Sequence, residues 1–543
     1  MLPSPDERGS DRGFAAKLIL LLLAYLGIES VYILRFPLVM DEFGTAACVY
    51  RTIYQQVPYR DYAPYKTVLG YYLQLPILLL PFRTWTDILI AKFEMAFVTA
   101  AVLLWAAWLL RKLFSPRAIV ASLAVLLAMS TFLERSAELR VDMLTGLAGL
   151  LSLVLLLRQR PALAGIMAGV SFLISQKGVY YAFSAAAGLG VALLIAAGVR
   201  SETWRAVLRF GIASAAAVVA YISFWSALSS LHAVTYSMFV SATQLAMTDV
   251  YQTLGRNPFF YLLVLVSIIS LGFAAFRQRR PFEALLFGYG AAMALQAASH
   301  RQPWPYFFVV VLPVGLVLNA DLFDRVMASD LWQVRKMTLV TLYAIGGLLL
   351  PLSRLAATLQ RDNAFQRRTV EVAEQLVGPA DRYFAGVDIL FRRQQTLDEV
   401  AWIDRVTATR LLTMPPAGML SLIRRFDALP TKLLIYNYRI AYLPPLLHVY
   451  LVSQYEHAWG NIFVYSPLVR SGAFTLKFDG SYRVESNEAT IIDGRSHSPE
   501  DLVALSRGSH NASEPALFRL QLQLPLPGDG APAVDFFPNV YDF

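Results

Sequence analysis

A 543-residue chain with a single cysteine, Cys48, carries no internal disulfide framework and no cysteine-built metal site. Charge is scarce too: 16% of residues are Asp, Glu, Lys or Arg, 57% are hydrophobic, and mean hydropathy is +0.50. That balance excludes an ordinary soluble globular protein. The N-terminal stretch MLPSPDERGSDRGFAAK opens an apolar run with no small-residue cleavage site after it. Residues 14–37 therefore read as an uncleaved first helix that also serves as the targeting signal. The net charge of +9 is dispersed over many short loops, which fits membrane topology rather than a nucleic-acid partner.

What is present is a series of apolar blocks of about twenty residues, recurring from residue 14 to residue 356. They predict eleven spans, at 15–37, 88–110, 116–134, 139–157, 161–176, 178–198, 205–230, 258–276, 281–299, 303–321 and 336–356. The stretch Tyr71–Pro81 is short, opens with two tyrosines and holds two prolines, so it reads as a re-entrant or interfacial element. With that choice, one set of loops holds seventeen lysines and arginines and the other nine. The positive-inside rule then puts the N-terminus in the cytoplasm and the C-terminal region outside.

After Ala357 charges become frequent and apolar runs shorten to strand length. The expected fold is an α-helical polytopic membrane domain (1–356, with an outer loop at 38–87), followed by a C-terminal extracytoplasmic domain. The latter divides into a mixed α/β region (357–470) and a β-rich, sandwich-like region (471–543).

Ionisable residues collect at the outer ends of four hairpins. They include Asp41, Glu42, Asp61 and Lys66 in the first loop, Glu134, Glu138, Arg140 and Asp142 near 139, Lys177, and His300 with Arg301. Charge at membrane level is costly and marks a functional site. A mid-bilayer cluster on broken helices would suit a transporter, whereas this one lies at an interface. Tyrosines 50, 54, 59, 62, 65 and 71 accompany it, and Tyr50 and Tyr54 are spaced to share one helix face. They suit both an interfacial aromatic belt and contacts to a sugar ring. The chemistry fits a substrate half lipid and half polar: a sugar on a polyprenyl phosphate. A carboxylate accepts the acceptor's proton, and cations receive the departing phosphate.

The segment MDEFGTAACVYRTIYQQVPYRDYAPYKTVLGYYL resembles the first outer loop of the GT-C membrane glycosyltransferases. The likeness is to the branch of protein O-mannosyltransferases and lipid A aminoarabinose transferases. RSAELRVDMLTGLAGLLSL, PALAGIMAGVSFLISQKG and HRQPWPYFFVVVLPVGLVL resemble the later signatures in order and spacing, over about residues 15–320. The sequence departs from the pattern at Thr67 and Val68, where prolines are usual, and at Gln56, where glycine is common.

The resemblance implies a GT-C fold and sugar transfer with inversion from a polyprenyl-phosphate donor to an extracytoplasmic glycan, lipid or protein. It implies Asp41 as the carboxylate nearest the reaction, with Glu42 its neighbour. Lys66, Arg140, Asp142 and Lys177 would face the donor, joined by Arg301 and by Tyr59, Tyr62 and Tyr65. Asp142, two residues beyond Arg140, diverges from it on a helix and is expected to order Lys177 or Arg301 instead. No metal ligand is assigned, though the same residues leave room for a divalent metal. The expected location is the bacterial inner membrane, in contact with membrane lipids. The alternative reading is a non-enzymatic transporter or flippase of lipid-linked glycans.

Overall fold

The computed structural model of the chain describes residues 11–54, 56–64, 66–74, 83–195, 200–241, 258–300, 304–403, 405–528, 530–531 and 534–538. It is mostly helical, with sheets confined to the C-terminal part. α1 (Asp11–Arg35) and α4 (Thr84–Leu110) bracket a loop whose described residues include two short helices, α2 (Met40–Ile53) and α3 (Leu69–Leu73). The rest of the stretch expected to be interfacial, residues 75–81, lies outside the described residues.

α5 (Pro116–Leu127) begins as its sequence dictates. Proline stands in its first turn, where no N–H is needed, and Ser115 Oγ accepts the Ala118 N–H at 3.4 Å. The span expected at 116–134 is two helices, because the backbone is extended at Met129 before restarting as α6 (Ser130–Arg135). Then come α7 (Val141–Leu157), α8 (Pro161–Ile174), α9 (Val179–Ile195), α10 (Arg200–Leu228) and a short α11 (Leu231–Thr235). After α12 (Pro258–Gln278) and α13 (Pro281–Ala298), the span expected at 303–321 is also divided. Its halves are α14 (Pro305–Val311) and α15 (Val314–Met327), since Pro313 has no N–H to donate and its ring crowds the preceding turn. α16 (Asp330–Leu359) completes the membrane domain.

Among the described residues, six helical stretches are long and apolar enough to cross a membrane: Gly13–Arg35, Thr84–Leu110, Gln176–Ile195, Ser201–Leu228, Pro258–Gln278 and Arg335–Leu359. The protein is integral to the membrane. The shorter α7 is buried along nearly its whole length, packed on α8 and α14, and forms the axis of the domain. Its apolar residues are hydrophobic all round, as a helix with no solvent or lipid face must be.

In the C-terminal part, α17 (Ala364–Leu376) leads into a five-stranded sheet. Its strands are β1 (Arg382–Phe384), β2 (Gln394–Gln395), β3 (Thr431–Ile435), β4 (Tyr455–Trp459) and β5 (Ile462–Tyr465), in the order β2-β1-β3-β5-β4. β1 and β3 run parallel, so the chain between them must cross over, and α18 (Pro416–Asp427) lies on that connection. The connection from β3 to β4 holds α19 (Tyr438–Ala441) and α20 (Pro445–Gln454).

A second, antiparallel sheet contains β6 (Leu468–Leu476), β7 (Gly480–Glu485), β8 (Thr490–Ile492), β9 (Arg495–His497), β10 (Leu502–Leu505) and β11 (Gly508–Leu522). β11 is long enough to pair with β6 on both sides of a register shift between Ala512 and Leu517. Its first part also meets β8 and its last part β7.

The two parts are joined at the chain between α1 and α2. Gln366 on α17 uses its whole amide there: Oε1 accepts Leu38 N–H at 2.8 Å, and Nε2 donates to Leu38 O at 2.9 Å and Phe536 O at 2.7 Å. Each such buried bond contributes about 1 kcal/mol net and costs more if left half-made. Asn363 Nδ2 donates to Leu34 O at 3.1 Å, and Glu374 accepts the Thr84 hydroxyl at 2.8 Å at the start of α4. Arg392 pairs with the fully buried Asp87. Gly44 on α2 lies against the Trp402 ring, where an added Cβ would stand 2.5 Å from the indole. α2 is thus held by the membrane domain below and the sheet domain above.

Candidate active site

α2 begins at an extended Val39, and Glu42 Oε2 turns back to accept the Val39 N–H at 2.9 Å. This one-sided cap, with the Glu42 N–H donating to Val39 O at 3.0 Å, fixes the first turn and so fixes where Asp41 points. Adjacent helical residues diverge by about 100°. Glu42 faces inward: Oε1 meets Lys92 Nζ at 2.8 Å and accepts the Leu139 N–H at 3.1 Å, leaving the side chain 1% exposed. Both its oxygens are engaged by the protein, so it does not stand beside Asp41 facing substrate. Asp41 points the other way, with 26% of its side chain exposed, and pairs with Arg140.

Arg140 precedes α7, and its backbone is extended (φ −144°, ψ 157°) rather than helical. The expectation that Arg140 and Asp142 diverge fails for that reason: Arg140 Nε meets Asp142 Oδ2 at 3.0 Å. The second Asp142 oxygen pairs with Lys177, as its expected role of ordering that lysine requires. Lys177 stands on a single 3₁₀ turn, Gln176–Gly178, which Gln176 Nε2 ties to Ser237 O at 2.9 Å. The result is an alternating row: Asp41, Arg140, Asp142, Lys177.

One ring underlies this row. The Arg140 guanidinium carbon is 3.5 Å and Lys177 Nζ 4.7 Å from the centroid of Tyr306, at the start of α14. A ring face attracts both cations. Tyr306 lies in the WPYFF stretch, but its spacing alone did not mark it as a partner of residues 140 and 177. Glu138 approaches Arg140 from behind, at 3.9 Å, and pairs with the buried Arg135.

Lys66 is half-buried near the row. Among the described residues it has no carboxylate within 4 Å, and its Nζ is 5.4 Å from the Tyr71 ring centroid. Its backbone is pinned instead: Tyr59 OH donates to Lys66 O at 3.1 Å and meets Tyr221 OH at 2.6 Å, and Tyr221 OH accepts Val68 N–H at 2.9 Å. Tyr62 OH lies 3.2 Å from Thr52 Oγ1 on α2. The hydroxyls of Tyr59 and Tyr62 therefore brace the loop that carries Lys66. Asp61 does the same, accepting the Val57 N–H at 2.6 Å and pairing with Arg60. Tyr50 on α2 and Tyr54 just past its end sit together, centroids 4.3 Å apart. Tyr65 and Arg301 lie outside the described residues.

Burial alone would raise the Asp41 carboxyl, but Arg140, and more remotely Lys66 and Arg439, outweigh it and hold it below the ordinary carboxylate range. His300 is stacked on Phe307 at 3.7 Å with its Nδ1 2.7 Å from Tyr180 OH. Burial first, and the Lys177 charge second, push its imidazole down to about 4, so it is neutral at physiological pH. Among the described residues, no three His, Cys, Asp or Glu side chains gather as a metal site.

The fold has counterparts of known structure. ArnT from Cupriavidus metallidurans in the apo state aligns over 92% of this chain and 98% of its own, with a TM-score of 0.52 and 12% identity. The chain has the GT-C fold. The Archaeoglobus fulgidus oligosaccharyltransferase AglB, solved with an inhibitory peptide and a dolichol-phosphate, aligns over 89% of this chain and 74% of its own, with a TM-score of 0.51 and 12% identity. The same archaeal enzyme tethered to an acceptor peptide gives a TM-score of 0.51 at 13% identity, covering 92% of this chain and 76% of its own. No family model matches the sequence, and no curated protein matches it. The GT-C likeness is thus carried by backbone arrangement, with little shared sequence.

Proposed function

We propose that this GT-C protein transfers a sugar, with inversion, from a polyprenyl-phosphate donor to an acceptor on the extracytoplasmic side, in the bacterial inner membrane. The observation that carries the reading is the row Asp41–Arg140–Asp142–Lys177 over Tyr306, with Lys66 beside it and no carboxylate within 4 Å of that lysine among the described residues. A phosphate entering this row meets three cations, and Arg140 can offer it a planar fork.

In the proposed step the acceptor oxygen attacks the anomeric carbon while Asp41 takes its proton. The bond from that carbon to the phosphate oxygen breaks, and the electron pair stays on the phosphate, facing Lys66, Arg140 and Lys177. Asp41 paired with Arg140 is a poor base, because the guanidinium stabilises its ionised form. Donor binding would draw Arg140 toward phosphate and raise the basicity of Asp41 when it is needed. Glu42 and Asp142 act as positioning residues.

The AglB structure contains a dolichol-phosphate, a lipid phosphate of the kind proposed here as leaving group. The test is release and transfer of radiolabelled sugar from a panel of polyprenyl-phosphate donors by purified protein with membrane extract as acceptor. Wild type should consume one donor, and Asp41→Asn and Lys66→Ala should not while remaining folded. Turnover that survives Asp41→Asn unchanged removes the carboxylate from its assigned role. Donor movement across a vesicle bilayer with no sugar released would favour the flippase instead.

A further inference from the structure

The site has a cation that does not come from the membrane domain. Arg439 stands on α19, a single turn of the sheet domain, and its guanidinium reaches down to Met40, the residue before Asp41. Its Nη2 and Nε lie 2.9 and 3.2 Å from the Met40 sulfur, and Tyr438 OH donates to the same sulfur at 3.0 Å. A thioether is a weak acceptor, and a guanidinium has five N–H donors. Among the described residues no carboxylate lies within 4 Å of Arg439, although the side chain is half-buried. Arg140 is balanced by Asp41 and Asp142, and Lys177 by Asp142; Lys66 shares with Arg439 the lack of a carboxylate within 4 Å among the described residues, but its chain is pinned at the backbone carbonyl.

The position of Arg439 is built into the fold. Asn437, 1% exposed, accepts the Arg439 backbone N–H at 3.0 Å and donates to Ala385 O at 2.9 Å and Ile435 O at 3.0 Å. Tyr438 is held edge-on against Phe537. An under-satisfied, partly desolvated charge costs free energy unless a ligand completes it. It approaches Asp41 through Met40, near enough for its charge to help hold the Asp41 carboxyl down.

We infer that Arg439 is an anion-binding residue of the active site, supplied by the sheet domain, which takes a phosphate or carboxylate oxygen of a substrate. The inference rests on the transferase reading for its place in the reaction, but not for the binding itself. The anion has two sources, the donor phosphate or an acidic acceptor, and the experiment tells them apart.

The experiment compares wild type, Arg439→Met and Arg439→Lys in nanodiscs. Undecaprenyl phosphate binding reads the donor arm, and the acceptor KM in membrane extract, at saturating labelled donor, reads the other. Arg439→Met should weaken one of the two by about 10- to 100-fold, the loss of a charge-assisted hydrogen bond. Arg439→Lys should restore part of it. A rise confined to acceptor KM, with product retained on an anion exchanger, assigns the anion to the acceptor; weaker lipid-phosphate binding assigns it to the donor. Both quantities within twofold of wild type in Arg439→Met, or equal losses in Met and Lys variants with lowered melting midpoints, overturn the inference. If wild type transfers no sugar yet Arg439→Met still loses lipid-phosphate binding, the transferase reading falls and the anion site stands.

Discussion

Lys92 and Glu42 form an ion pair 2.8 Å long inside the membrane domain, with 4% and 1% of their surfaces exposed. The pair joins α4 to α2, and through the Leu139 N–H it also joins α2 to the chain leading into Arg140. Removing one partner of such a pair leaves a buried charge alone, which typically costs about 3–5 kcal/mol. Lys92→Met should therefore lower the melting midpoint in detergent sharply, and adding Glu42→Gln to it should restore part of the loss. A Lys92→Met protein that melts with wild type would show that the pair does not hold α2.

Asp41→Asn removes the proposed base while keeping the side-chain shape. Transfer should fall by about 10²- to 10⁴-fold, with donor affinity nearly kept, since the cations are untouched. Single-turnover transfer and equilibrium donor binding measured on the same preparation separate the two. Equal losses in both would make Asp41 a binding residue.

The pH dependence follows from the depressed Asp41 carboxyl. A group held below its usual range stays ionised as pH falls from neutrality, so donor kcat/KM, which reports the free enzyme, should show no acid limb until below the ordinary carboxylate range. Once donor phosphate recruits Arg140, the largest opposing influence weakens and the carboxyl rises. The acid limb of kcat should therefore lie at higher pH than that of kcat/KM. Coincident limbs would mean that Arg140 never leaves Asp41.

Tyr306 offers its ring face to two cations at once. Tyr306→Phe should keep donor affinity, whereas Tyr306→Leu should lose about 0.5–2 kcal/mol, or about 2- to 30-fold in Kd. Similar losses in Phe and Leu would assign the effect to the hydroxyl.

Gly44 leaves room for Trp402. Gly44→Val should force the sheet domain off α2, read as new protease cleavage near residues 357–363 and a lowered melting midpoint. Pairing it with Trp402→Ala should reverse part of both. An unchanged cleavage pattern in Gly44→Val would show that the contact is not needed for docking.

The helical membrane domain was legible because an apolar block of twenty residues has few alternatives. The loop acids and bases were legible for a related reason: charge at membrane level is rare enough to notice. Backbone state was less so. Arg140 and Asp142 were expected to diverge because both were read as helical, yet a single extended residue brings them together. Glu42 carried the same charge as Asp41 in the same turn, and only the inward position of Lys92 decides that it is structural. Arg439 was out of reach altogether, since its approach to Met40 depends on how a domain 399 residues away in sequence docks.

The Leu38–Gln366 contact has a consequence for biosynthesis. Its partners are 328 residues apart, so every membrane helix has been synthesised before Gln366 is translated. Through that interval the chain ahead of Asp41 lacks its clamp, and Arg439 does not yet exist. The nascent protein is thus incomplete at its proposed site while it threads into the bilayer, and the proposed lipid-linked donor, encountered during insertion, would meet a half-built site.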